Sequence, residues 1–286
     1  MSRQRDTELP IGIFDSGVGG LTVYRALHER LPGERFVYLG DTARVPYGTK
    51  SLATVERYAI ENARFLEARG IKLLVVACNT ASALALPATS ASVGVPVVGM
   101  IGPGARAAVA SAEGSPVGVI ATESTVRSGA YAREIRRLAP RAEVFERACP
   151  LFVSLAEEGW AETDVARAVA AEYLKDLAGG RVGAVVLGCT HYPILRGVIQ
   201  EAVGASVRLI DSGEAAADAV AALLDAEGLR RRGGADASRA LCDDMDHFYV
   251  TDAEERFARV AERFLGSAPR VLEAVEVWGH DELKTA

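Results

Sequence analysis

IGIFDSG at residues 11–17 and VVACNTAS at residues 75–82 both return in the second half of the chain, as VGVIATE at 117–123 and VVLGCTHYP at 185–193. The intervals agree: Gly12 lies 66 residues before Cys78, and Gly118 lies 71 before Cys189. A weak repeat of this length reads as two similar units, with the Cys-bearing runs equivalent. The quoted runs belong to a longer series that includes RFVYLG (35–40), KLLVVA (72–77), VPVVGM (95–100), GAVVLG (183–188) and SVRLID (206–211). Longer helical patterns separate them, and this alternation signals βαβ units and a parallel sheet. The runs are unbroken in apolar character, as strands are when helices cover both faces. Leu52, Val55, Ala59, Ala63 and Leu66 recur at three and four residues, which predicts a covering helix with Gly70 as its stop.

The expected fold is therefore α/β, in two similar lobes that are each a mainly parallel sheet flanked by helices. One lobe is expected from residues 1–98 plus 208–286, carrying Asp15 and Cys78, and the other from residues 99–207, carrying Cys189 and His191. The segment after Asp211 has no counterpart in the second half. It holds a helix pattern, an Arg/Gly loop at 230–234, a strand-like HFYVTD (247–252) and a helix ending near Leu265, and is read as returning to the first lobe.

Length and composition bound the function. The 286 residues, 49% hydrophobic and 24% charged, describe a folded globular chain, not a disordered or disulfide-stapled one. A net charge of −6 gives no whole-protein positive field, which argues against a direct nucleic-acid binder and against an anionic-membrane binder. Residues 1–10 mix Arg3, Arg5, Asp6 and Glu8 without an apolar run, so they do not read as a secretory signal, and a cytoplasmic protein is expected. Residues 73–105 carry no charge, but Asn79, Thr80, Ser82, Pro87, Pro96 and Pro103 interrupt them, so they read as buried strands with polar turns. Cys78, Cys149, Cys189 and Cys242 have neither C-x-x-C nor metal-ligand spacing, so free thiols and no metal are expected.

Ligands of open α/β sheets bind beyond the carboxyl ends of the strands. The candidates are therefore Asp15-Ser16, Asp41-Thr42, Cys78-Asn79-Thr80, Thr122 and Cys189-Thr190-His191. GVGG at 17–20 invites a dinucleotide reading, but Thr22 stands at the third glycine and Asp15 would set a carboxylate beside a pyrophosphate. A tight strand-to-helix turn is the favoured reading. Cys149 and Cys242 read as small buried hydrophobes. Cys78 and Cys189 each end an apolar strand and precede a helix whose first amides favour a thiolate. Two thiols at equivalent places in two lobes would face each other across a crevice. That is what a racemase needs, one group removing a proton from one face of a carbon and another returning one to the opposite face. His191 lies two residues past Cys189 and Asp15 ends the strand of the opposite lobe, so either could relay protons to a thiol, whereas His28, His247 and His280 read as structural, and Glu157-Glu158 and Arg230 to Arg232 as solvated. No lysine ends a strand where a pyridoxal phosphate Schiff base would need one, so no cofactor is expected.

FDSGVGGLTV from Phe14, DTARVPYG from Asp41, ACNTAS from Ala77, ATESTVRSGAY from Ala121 and GCTHYP from Gly188 together resemble the glutamate racemase family, in order and over most of the chain. The resemblance implies two lobes related by a pseudo-twofold axis and cofactor-free interconversion of L- and D-glutamate, supplying D-glutamate for peptidoglycan. It implies that Cys78 acts on D-glutamate and Cys189 on L-glutamate, with Asp15 and His191 as their helpers and Glu157, not Glu158, as the acidic residue of CPLFVSLAEEG. The implied substrate contacts are Asp15, Ser16, Pro46, Tyr47, Gly48, Asn79, Thr80, Thr122, Thr125, Thr190 and His191. A homodimer is implied too, since the family often forms one. The alternatives are an aspartate or hydantoin racemase of the same superfamily and a gyrase-binding regulator. The intact pair Cys78 and Cys189 favours catalysis.

Overall fold

The computed structural model describes residues 7–231 and 239–278, so His280 and part of the loop expected at 230–234 lie outside the described residues. β1 (Ile11–Asp15), β2 (Phe36–Gly40), β3 (Leu73–Val76) and β4 (Val97–Gly99) open the first sheet, and β5 (Val117–Ala121), β6 (Val144–Ala148), β7 (Ala184–Gly188) and β8 (Arg208–Asp211) form the second. The chain then returns with β9 (His247–Val250) and β10 (Leu272–Ala274), giving orders β10-β9-β2-β1-β3-β4 and β6-β5-β7-β8, every pair parallel. The sequence repeat is thus a repeat of topology. β2-β1-β3-β4 and β6-β5-β7-β8 have the same order, with β1 matched to β5 and β3 to β7.

Burial explains why the strands lack alternation. Ile11, Ile13, Leu73 and Val75 point to one side of the first sheet, and Phe14, Leu74 and Val76 to the other, and all are fully buried. The second sheet divides likewise, Val185 and Leu187 from Ala184 and Val186. One side of each sheet shares a single core, filled by the helices Leu21–Arg30 and Ser212–Glu227, which pack on each other between the lobes.

Several details depart from the sequence reading. The boundary at 207/208 put Arg208–Asp211 in the first lobe, yet this strand hydrogen-bonds β7 and belongs to the second sheet. Leu52, expected on the buried face of its helix, is exposed because it is the first residue of Leu52–Glu67 and precedes the packed turns; Val55, Ala59, Ala63 and Leu66 are buried as expected. β6 had no apolar signature, because VFERA is a half-buried edge strand carrying Glu146 and Arg147. Cys149, Cys242 and His28 are buried, His28 against Tyr24 and Phe36. Arg230 and Arg231 are tied down by Asp225 and by Glu8, not simply solvated. Among the described residues, no helix is long and apolar enough to cross a membrane.

Candidate active site

The carboxyl ends of β1, β3, β5 and β7 open on one cavity of about 270 Å³. Ser16, Cys78, Asn79 and Thr80 line it from the first sheet, and Thr122, Cys189, Thr190 and His191 from the second; Pro46, Tyr47 and Gly48 form another wall. Asp15, Thr125 and Glu157 stand behind this wall, each in contact with a lining residue or close to one. Val45, Thr49, Glu123, Pro150, Val153 and Ser154 complete the lining without having been singled out in the sequence. The stretch CPLFVSLAEEG, read only for its acidic residue, supplies three of them.

The two thiols have different surroundings. Cys78 caps the helix Asn79–Leu84, its Sγ accepting from the Ala81 amide at 3.5 Å and donating to Ser16 Oγ at 3.5 Å. Burial and the nearby Asp15 charge nonetheless push this thiol up to about 12, outweighing the amide and the serine. Asp15 is itself fully buried. One carboxylate oxygen accepts from the Gly17 amide at 2.9 Å and the other makes no hydrogen bond among the described residues. Burial raises its pKa, against the opposing charge of His191 and the amides of the Gly17–Gly20 turn.

Cys189 departs from expectation in one respect. No α-helix begins beside it, since a 3-10 turn, Tyr192–Leu195, intervenes before Arg196–Val203. Its polar neighbour is instead His191, whose Nδ1 lies 3.8 Å from Sγ, while Nε2 lies 3.0 Å from Glu157 Oε1. Burial works against a charged imidazole here, but hydrogen bonds to Cys189 and Glu157, and the charges of both, raise it to about 10. Glu157 is correspondingly held below the usual carboxylate range, because His191 and Arg256 outweigh its burial. Opposite charges on His191 and Glu157 thus stand behind one thiol, whereas a fully buried carboxyl whose pKa burial raises stands behind the other.

The lobes meet through polar contacts around the cavity. Thr80 Oγ1 lies 2.9 Å from Thr122 Oγ1 and 3.2 Å from Thr125 Oγ1, and Ser124 Oγ donates to the Gly48 carbonyl at 2.7 Å. Asn79 lines the cavity, but its side chain is committed: Tyr131 donates to Oδ1 at 2.7 Å and Nδ2 donates to Ser212 at 3.2 Å. GVGG proves to be an inter-lobe contact. A Cβ on Gly19 would sit 2.3 Å from Thr190 Oγ1 and 2.5 Å from the His191 ring, so only glycine lets the first lobe approach the Cys189 turn this closely. Thr22 Oγ1 secures the contact by donating to the Thr190 carbonyl at 2.7 Å. Among the described residues, no lysine or arginine lines the cavity, and no three His, Cys, Asp or Glu side chains group as a metal site would require.

Comparison with known proteins agrees with this geometry. The family model described as Asp/Glu/Hydantoin racemase matches residues 11–220. The glutamate racemase of Geobacter metallireducens is 54% identical over 256 residues, 90% of this chain and 92% of its own length. The structure of glutamate racemase from Thermus thermophilus in complex with beta-chloro-D-alanine superposes with a TM-score of 0.84 at 46% identity, covering 95% of this chain and 98% of that one. That of glutamate racemase from Francisella tularensis in complex with D-glutamate gives 0.85 at 38% identity, with the same coverage of 95% and 98%. The chain belongs to the Asp/Glu/Hydantoin racemase family of isomerases, and within it to the glutamate racemases.

Proposed function

We propose that the protein interconverts L- and D-glutamate without a cofactor by two-base proton transfer, with Cys189 as the base toward L-glutamate and Cys78 toward D-glutamate. The observation that carries this reading is the presence of two buried thiols, at the ends of equivalent strands β3 and β7, on the wall of one small cavity. An amino-acid α-proton is only weakly acidic, so the negative charge that develops on the carbon and its carboxylate needs donors already in place. Ser16, Thr80, Thr122 and Thr190 offer hydroxyls there, alongside the backbone amides of the strand-end turns, and His191 brings a positive charge.

The unequal environments support one choice of starting states. Cys78, pushed up to about 12, rests as a thiol and is the proton donor when L-glutamate binds. Cys189, paired with a protonated His191, is the base. Cys189 sulfur takes the α-proton of L-glutamate, and the C–H electron pair is left on the substrate. Cys78 then delivers its proton to the opposite face and becomes the thiolate. D-glutamate entering at that point finds the thiols in reversed roles. Asp15, whose pKa burial raises, is suited to pass a proton to Cys78, as His191 is to exchange one with Cys189. We further propose that this occurs in the cytoplasm, where the D-glutamate enters peptidoglycan and so serves cell wall biogenesis and cell shape, and that the lobes are bounded near residues 99 and 212.

The experiment is optical. Purified protein incubated with each enantiomer of glutamate is expected to drive the rotation to zero from both sides, with no effect on either enantiomer of aspartate. Equal racemisation of aspartate would contradict the substrate assignment. Activity lost to hydroxylamine and restored by pyridoxal phosphate would contradict the two-thiol mechanism.

A further inference from the structure

Glu157 is the last residue of the helix Leu151–Glu157, where a three-torsion side chain is ordinarily free to rotate. It is not free here. One carboxylate oxygen lies 3.0 Å from His191 Nε2, and the other accepts from Arg256 Nη2 at 2.8 Å. The main-chain carbonyl of Glu157 accepts from Arg263 Nη1. Both arginines lie seven residues apart on the helix Glu254–Leu265, on the C-terminal side of the first sheet, and Phe264 of the same helix sets its ring edge-on to His191 at 6.1 Å. One helix therefore touches both members of the pair that stands behind Cys189. Among the described residues Cys78 has no equivalent, since the hydrogen-bonded oxygen of Asp15 is held by the Gly17 amide and no arginine or lysine pairs with it.

We propose that Arg256 is a positioning residue for the Cys189 half of the reaction, holding Glu157 so that its second oxygen stays aimed at His191 and His191 stays aligned on Cys189. The proposal rests on the two-thiol reading above. Stability is not the role of this ion pair: Arg256 is 54% exposed on its side chain, and ion pairs this open contribute little. Its effect is directional, because fixing one oxygen of a planar carboxylate fixes the other. The charged and titratable groups around the His191 and Glu157 pair are Cys189 from their own lobe and Asp15, Arg256 and Arg263 from the other. Removing the Arg256 cation takes away one influence that holds Glu157 ionised, so Glu157 takes up a proton at higher pH and His191 loses its anion there. The acid limb of the Cys189 half-reaction then moves to higher pH.

The test uses both enantiomers of a glutamate bearing chloride at its β-carbon. Abstraction of the α-proton lets the C–H electrons form a carbon–carbon double bond as chloride departs with the C–Cl pair, so each half-reaction is read separately. Cys189→Ser identifies the enantiomer that depends on Cys189. Arg256→Gln is expected to slow elimination from that enantiomer about tenfold and to move its acid limb up by about 0.5 in pH, as loss of one charge-assisted hydrogen bond would. Elimination from the other enantiomer is expected to change less than about twofold, and Arg256→Lys to restore most of the loss. Equal slowing from both enantiomers, or an unchanged acid limb, overturns the positioning role while leaving the two thiols intact. If Cys189→Ser singles out neither enantiomer, the two-thiol reading falls and the proposal with it.

Discussion

Cys78→Ser and Cys189→Ser are each expected to lose racemisation from both enantiomers of glutamate, by about 10²- to 10⁴-fold, the usual worth of a positioned acid or base. The loss is symmetric for a thermodynamic reason. Enantiomers have equal free energies, so kcat/KM must be the same in both directions, and removing either thiol slows both equally. Asymmetry is visible only in a half-reaction. With chloride on the β-carbon, Cys189→Ser should retain elimination from the D-enantiomer and Cys78→Ser from the L-enantiomer, measured as chloride release. Equal elimination from both enantiomers by both variants would show that the facial assignment is mistaken. Neither substitution should unfold the protein, because serine keeps the size of the side chain and both positions face the cavity.

The second large effect is on stability. Asp41, fully buried, receives two hydrogen bonds from Arg44 Nε at 2.9 and 2.8 Å, one from Thr251 at 3.1 Å and one from the Tyr47 hydroxyl. Arg44 also pairs with the buried Glu61, donates to Asn62 at 2.9 Å and lies 4.2 Å from the Tyr58 ring centre. Arg44→Ala leaves two buried carboxylates without a counter-charge, which costs about 3–5 kcal/mol. For a chain of this size that is a fall of roughly 5–8 °C in melting temperature, measurable by calorimetry. Asp41→Asn in the same chain should recover part of it, since one uncompensated charge then disappears. Activity should fall as well, because Asp41 and Asn62 hold the hydroxyl of Tyr47, and Tyr47 forms a wall of the cavity. A melting temperature within about 2 °C of the parent would mean that water or local rearrangement satisfies Asp41 and Glu61.

What could be read in the sequence was whatever is encoded over a few adjacent residues. IGIFD, LLVV, VGVIA and AVVLG are buried on both faces, so each announces itself as a parallel strand, and the polar residues that end them are the cavity walls. Such local signals fail where a contact joins distant segments. VFERA is a strand because β5 offers it an edge, not because of its own pattern. Asp211 reads as the end of a strand, but which sheet receives that strand depends on β7. GVGG looked like a tight turn. Its need for Gly19 comes from Thr190 and His191, about 170 residues away in the chain. Arg256 and Arg263 carried no signal at all, being two arginines on an amphipathic surface helix, and the choice of Glu157 over Glu158 came from family resemblance.

The central claim is that two opposed bases act on one carbon, and proton origin tests it most directly. L-glutamate racemised in deuterated water and sampled at low conversion should give D-glutamate carrying deuterium at the α-carbon, while the recovered L-glutamate stays almost unlabelled. The proton taken by Cys189 either returns as hydrogen or stays behind, and the product receives its hydrogen from Cys78, already equilibrated with solvent. Deuterium appearing in recovered L-glutamate as fast as in the product would mean that a single exchanging base serves both faces, and would contradict the account.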